Sequence, residues 1–220
     1  MPVVVFLLFT CLVVGLLVVA YISNKKKQEA LAAWAAQQGF QFSARDPFDI
    51  PKRFDEFGLM QQGHSHAASD VLWKSSDGGE LLIFEYSYKT GSGKDESTHT
   101  CCACSWQLPV ALGSLVIRPE GFFDHVAAWF GHDRIEFEST EFNKRYHVAG
   151  ADKREVYDVI TPQMMEFMMQ RNLENLEVRG PTALCHVEES LDVERGQWLL
   201  DVSDGFTQLI PENVVGSKEG

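Results

Sequence analysis

Residues 2–22 carry no charged side chain and are almost entirely apolar, from Pro2-Val3-Val4-Val5-Phe6 through Val18-Val19-Ala20. About 20 residues at about 1.5 Å each cover a hydrocarbon core of about 30 Å. Within a bilayer, only a helix satisfies every backbone donor and acceptor of one isolated segment. The run therefore predicts a single transmembrane helix, with the lipid bilayer as the partner of residues 2–22. A cleaved signal peptide competes with it, and Val18 and Ala20 would supply its small-residue site. Two features disfavour cleavage: no Lys or Arg precedes the run, and the run exceeds the roughly 7–15 residues of a signal core.

Three lysines, Lys25, Lys26 and Lys27, follow the run directly. Positive flanks stay on the cytoplasmic side, which predicts an outside N-terminus and a cytoplasmic domain in the cell membrane. Cysteine usage agrees. Cys11 lies in the span, and Cys101, Cys102, Cys104 and Cys185 match no secreted disulfide framework.

The rest of the chain is acidic. All 31 acidic residues follow the lysines, against 16 basic ones once those three are removed, giving a net −15 for residues 28–220. Such a field repels nucleic acid and the anionic inner leaflet, so no nucleic-acid partner is expected.

The punctuation divides the chain into a transmembrane anchor (1–24), a juxtamembrane helix (25–39), a soluble domain (40–214) and a flexible tail (215–220). Gln28 to Gln38 are strong helix formers, and Gly39 suits a helix end. A first strand is expected at 39–42. Further strands are expected at 67–74, 80–89, 99–108 and 114–118, with a polar hairpin loop at 90–96. Phe54, Phe57 and Leu59 belong to a loop packed on the core. A short helix is expected at 121–131, then strands at 134–138 and 146–149. Helices follow from Asp152 to Ile160 and from Thr161 through Met169, each opened by its capping residue. Strands at 176–179 and 183–188 precede a last helix that carries Leu199, Val202, Phe206, Leu209 and Ile210 on one face. Pro211 helps to end that helix, and Val214 to Gly220 make a polar tail. Runs of strands and runs of helices, without βαβ alternation, predict an α+β fold: a mainly antiparallel sheet covered by several helices.

Two segments carry a resemblance. One is Leu82-Ile83-Phe84-Glu85-Tyr86-Ser87-Tyr88. The other is Phe142-Asn143-Lys144-Arg145-Tyr146-His147-Val148 with Val156-Tyr157-Asp158-Val159-Ile160-Thr161-Pro162-Gln163-Met164-Met165-Glu166. Together they resemble a family of uncharacterised bacterial proteins with an N-terminal membrane helix and one α+β domain. The resemblance implies architecture and no catalytic residue.

Each candidate site has a competing structural reading. His99, Cys101, Cys102 and Cys104, with His64 and His66 nearby, are the residue types that bind zinc. On a strand, however, Cys102 and Cys104 stand about 6.6 Å apart. Two thiolates on one tetrahedral zinc must approach to about 3.8 Å. Residues His99 and Cys101 face the other way, so no metal or other cofactor is expected. Cys185 and His186 are strand neighbours on opposite faces, a buried thiol beside an outward imidazole. Gly91-Ser92-Gly93-Lys94 lacks the first glycine and the Ser/Thr of a phosphate loop. Glu136 and Glu138, like Glu188 and Glu189, read as a solvated face. Asp124 and His125 are helix neighbours that do not face each other. Met165, Met168 and Met169 share one helix face, which is either core or an adaptable interaction surface.

The pattern favours a non-catalytic, membrane-tethered binding or scaffold module with a membrane-protein partner. A membrane-associated hydrolase with a scattered active site is the alternative. A thiol or metal sensor built on Cys101, Cys102 and Cys104 is the third.

Overall fold

The computed structural model describes residues 2–76, 79–120 and 134–216. A single helix, α1, runs unbroken from Pro2–Gln37. Its first part stands alone, with Phe9, Leu16, Val19 and Tyr21 exposed. Among the described residues it carries the one candidate membrane span. Its last turns are different: Leu31, Trp34 and Ala35 are buried against the domain. The helix ends where Gly39 adopts φ 75°, while Phe40 N–H donates to Ala35 O and Gly39 N–H to Ala36 O. That paired closure needs a left-handed residue, which glycine supplies without a Cβ clash.

The domain is α+β, as expected, with seven α-helices and six strands among the described residues. Strand β1 is Gln41–Arg45, β2 His64–Ser76, β3 Gly79–Thr90 and β4 Ser97–Pro119. These four form an antiparallel meander in chain order. Two more strands, β5 (Tyr146–Gly150) and β6 (Asn175–Val187), both pair with β4. Residues 102–106 of β4 pair with both β3 and β6, and residues 115–117 with both β5 and β6. Strands β3 and β5 therefore share one edge of β4, and β6 occupies the other.

Two pairs of expected strands merge. The stretches at 99–108 and 114–118 are one strand, β4, bent where the ladder slips: Gln107 faces Thr182 but Leu112 faces Gly180. Pro109 sits in this bulge, where its missing N–H breaks no ladder bond. The stretches at 176–179 and 183–188 likewise merge into β6, which turns at Gly180 (φ 56°) and Pro181.

Other boundaries also differ. Of the strand expected at 134–138, only the bridge Arg134–Ala149 and the bond from Ile135 N–H to Val148 O exist. Helix α3 (Thr140–Arg145) was not expected; Ser139 Oγ caps it by accepting from Phe142 N–H. Helices α4 (Lys153–Val159) and α5 (Pro162–Arg171) open on Asp152 and Thr161, as expected. The last long helix is α6 (Val193–Gln208). The polar tail expected from Val214 starts instead inside a short helix, α7 (Glu212–Gly216), because Val214 is buried. The helix expected at 121–131 lies outside the described residues.

Both faces of the sheet are covered. On one, Leu72, Ile83, Cys102, Cys104 and Cys185 meet Leu31 and Trp34 of α1 and Leu199, Val202 and Phe206 of α6. On the other, Leu82, Phe84, Tyr86, Tyr88 and Cys101 meet Ile50, Phe57 and Leu59 of the β1–β2 connection. That connection includes α2 (Ile50–Arg53) and a 3-10 turn at Gly58–Gln61. Burying each of these side chains stabilises by about 1.5–3 kcal/mol, enough to pin a long loop as a lid on the sheet.

Candidate functional site

The first arrangement of note stands where α1 meets the sheet. Lys27 Nζ lies 2.7 Å from Asp70 Oδ2 on β2 and 3.0 Å from Glu85 Oε2 on β3. Gln28 Nε2 donates to Asp70 Oδ1 at 2.8 Å, and Leu191 N–H donates to Glu85 Oε2 at 3.0 Å. Asp70 is nearly buried and holds φ 48° in the bulge between Ser69 and Leu72. Burial works against the charge on Lys27, but its bonds to Asp70 and Glu85 outweigh that and raise its pKa. Of the three flanking lysines, Lys27 thus faces the domain. Lys25 and Lys26 remain exposed, Lys25 beside Glu29 at 3.9 Å.

Lower on α1, Trp34 lies against Gly196 of α6. A Cβ at Gly196 would sit 2.9 Å from the Trp34 ring. Stacking with Phe40 at 6.1 Å and the cation–π contact of Lys74 with Phe40 complete the seat. Helix α1 therefore enters the domain through packed rings and a part-buried ion pair, without a linker.

The domain thiols divide between the two faces of the sheet. Cys102, Cys104 and Cys185 face α1 and α6, with Cys104 opposite Cys185 in the ladder. Cys101 faces the other way. Burial raises the pKa of all four, Cys102 to about 12. A thiol so desolvated is neither a nucleophile nor a ready metal ligand. Among the described residues, no three His, Cys, Asp or Glu side chains gather closely enough to hold a metal. His99 instead stacks on Tyr88 at 4.9 Å, and its Nε2 bonds Thr90 Oγ1. His66 Nδ1 bonds Tyr86 Oη, and His64 Nε2 bonds Gly91 O.

His186 corrects the expectation of an outward imidazole. It does lie on the face opposite Cys185, but that face is covered too, and the ring is buried. Burial, then the nearby Arg118 charge, lowers its pKa to about 3, so it is neutral. On the same face Glu177 accepts from Gly58 N–H at 2.9 Å and pairs with Arg179 at 2.6 Å. Burial raises the Glu177 pKa against these partners. This cluster fastens the β1–β2 connection to β6.

Gly91-Ser92-Gly93-Lys94 is the β3–β4 hairpin turn, closed by Lys89 and Glu96 at 2.7 Å. Glu136, Glu138, Glu188 and Glu189 are exposed. Asp124 and His125 lie outside the described residues.

The methionines divide between two roles. Met164 and Met168 are buried in the core, while Met165 and Met169 are half-exposed. The latter two floor an open groove of about 540 Å³ between α3 and α5, flanked by Glu141, Arg145, Glu166 and Gln170. A second, smaller cleft of about 290 Å³ lies near Lys74, Trp106, Asp204 and Gln208. Its lining mixes the apolar Leu81 and Trp106 with the charged Lys74, Glu80 and Asp204.

Sequence patterns missed Asp70, Glu85 and Glu141. Glu85 did leave a trace: it shares the buried face of β3 with Ile83, and a buried carboxylate requires a cation.

No protein-family model and no curated protein sequence matches the chain. Among solved structures, it is similar to the crystal structure of the mycobacterial trehalose monomycolate transport factor A, TtfA. The TM-score is 0.59 at 15% sequence identity, covering 83% of this chain and 93% of that one. At that identity the similarity carries the fold alone.

Proposed function

We infer that this chain is a non-catalytic, membrane-tethered binding module. Its α1 helix spans the bilayer with the N-terminus outside, and its cytoplasmic domain presents a surface to a membrane-protein partner. One observation carries this inference: α1 passes without a break from its exposed apolar part into the domain core, locked by Lys27 and Trp34. A flexible linker would suffice to keep a domain near a membrane. A continuous helix also fixes its height and orientation, which matters when the domain must meet another membrane-held surface. The fold is shared with a protein described as a transport factor, which is consistent with a non-catalytic, membrane-associated role. Desolvated thiols speak against the sensor alternative.

The test uses the full tagged chain crosslinked in its native membrane. It is compared with the same chain carrying a flexible Gly/Ser segment of about six residues after Asn24. A stoichiometric membrane partner captured by the native chain and lost with the insertion supports the inference. Equal capture by both would show that rigid placement is irrelevant. Capture of no partner by either would turn attention to the hydrolase alternative.

A further inference from the structure

We propose that the groove between α3 and α5 is the docking site for a cationic amphipathic helix of a protein partner. This rests on the binding-module reading and names the chemistry of its partner. The floor is two thioethers one helical turn apart, Met165 and Met169. Unbranched, polarizable methionine adapts to varied apolar side chains, which suits a groove that receives a helix face.

The rim supplies the sign of the partner's charge. Glu141 stands on the α3 wall and Glu166 on the α5 wall, both exposed. Among the described residues neither is in an ion pair. The cation at the groove, Arg145, is already engaged: its Nη2 donates to Asn172 Oδ1, and its guanidinium lies over the Tyr146 ring. Glu166 also accepts from Gln170 Nε2 at 3.0 Å, a neutral partner that leaves its charge in place. With Arg145 counted, the rim keeps one net negative charge around an apolar floor, complementary to apolar anchors flanked by Lys or Arg.

An acidic rim disfavours an anionic lipid surface as the occupant.

The probe is a synthetic amphipathic leucine–lysine helix, with a leucine–glutamate helix as its charge-reversed counterpart. Binding to the full chain in phosphatidylcholine nanodiscs is read by fluorescence anisotropy, with empty nanodiscs as blank. The lysine helix binds and the glutamate helix does not. Glu141→Lys with Glu166→Lys weakens the lysine helix by about tenfold and admits the glutamate helix. Met165→Ala with Met169→Ala weakens it by a similar factor of about ten. The control, Asp55→Lys with Glu56→Lys, makes the same charge change at two exposed sites on the β1–β2 connection and leaves binding unchanged.

Equal weakening by the control would reduce the binding to diffuse attraction by an acidic domain and overturn the proposal. Absence of binding by either helix would overturn it as well. So would a chain that self-associates through the groove, seen as a dimer that the Glu141→Lys, Glu166→Lys pair dissociates. Capture of a membrane partner unaffected by the groove variants would remove the groove but leave the binding module standing.

Discussion

Lys27 on α1 and Asp70 in the β2 bulge form an ion pair at 2.7 Å that joins the exposed apolar helix to the folded domain. The Asp70 carboxylate is 3% exposed, so its charge is sustained by Lys27 and by the bond from Gln28 rather than by water. Glu85 completes a three-residue cluster around one ammonium.

Lys27→Met leaves two largely desolvated carboxylates without their cation. The variant is expected to lose about 3 kcal/mol of unfolding stability, measured by denaturant titration in detergent. Lys27→Met with Asp70→Asn should recover part of the loss, because one of the stranded charges is gone. The pH sense is fixed: the Lys27 pKa is raised above 10.5, so its contribution is complete at neutral pH and disappears only as pH climbs through that raised value. An unchanged unfolding midpoint for Lys27→Met would sink the idea that this pair locks α1 to the domain.

Gly196→Leu drives a branched side chain into the Trp34 ring. The expected cost is about 1–3 kcal/mol, concentrated on the seating of α1. Hydrogen exchange should quicken over residues 28–37, while the amides of β3 and β4 stay protected. Trp34→Ala in the same chain should relieve the clash and narrow the difference. Equal loss of protection across the whole domain would mean that α1 docking is inseparable from global folding.

The four domain thiols should be unreactive in the folded chain. Cys101, Cys102, Cys104 and Cys185 are buried, with pKa values raised by burial. In detergent at neutral pH, a charged maleimide should label none of these four, which should react only after denaturation. Prompt labelling of any of them in the folded chain would revive the thiol-sensor alternative.

His186 makes stability depend on acid. Its folded pKa of about 3 lies below the ordinary 6.5, so between those values the unfolded chain binds a proton that the folded chain refuses. Stability therefore falls as pH drops below 6.5, by at most about 1.4 kcal/mol per pH unit from this group. His186→Leu should flatten that slope between pH 7 and pH 5, read from denaturant midpoints at the two values. Glu177, whose raised pKa acts in the opposite sense, is present in both chains and cancels from the comparison. Identical slopes would place the imidazole in contact with water.

Local sequence determined a good deal. An uncharged apolar run of helical length needs no tertiary partner to be recognised, because its hydrogen bonds close within itself. The caps at Asp152 and Thr161 and the Gly39 helix end are written within a few residues of the termini they make. Alternation in Leu82, Phe84, Tyr86 and Tyr88 marked the face of β3 that meets the β1–β2 connection. What the tertiary structure decided depends on residues distant in the chain. The strands at 99–108 and 114–118 become one because β6 runs past both, which no local pattern records. His186 is buried rather than outward because the β1–β2 connection folds over its face. Lys27 looks like a membrane flank in sequence; Asp70, 43 residues on, and Glu85, 58 on, turn it into part of the fold. Met165 and Met169 part from Met164 and Met168 only when α5 packs beside α3. Periodicity states which residues share a face, but what covers that face is set by long-range packing.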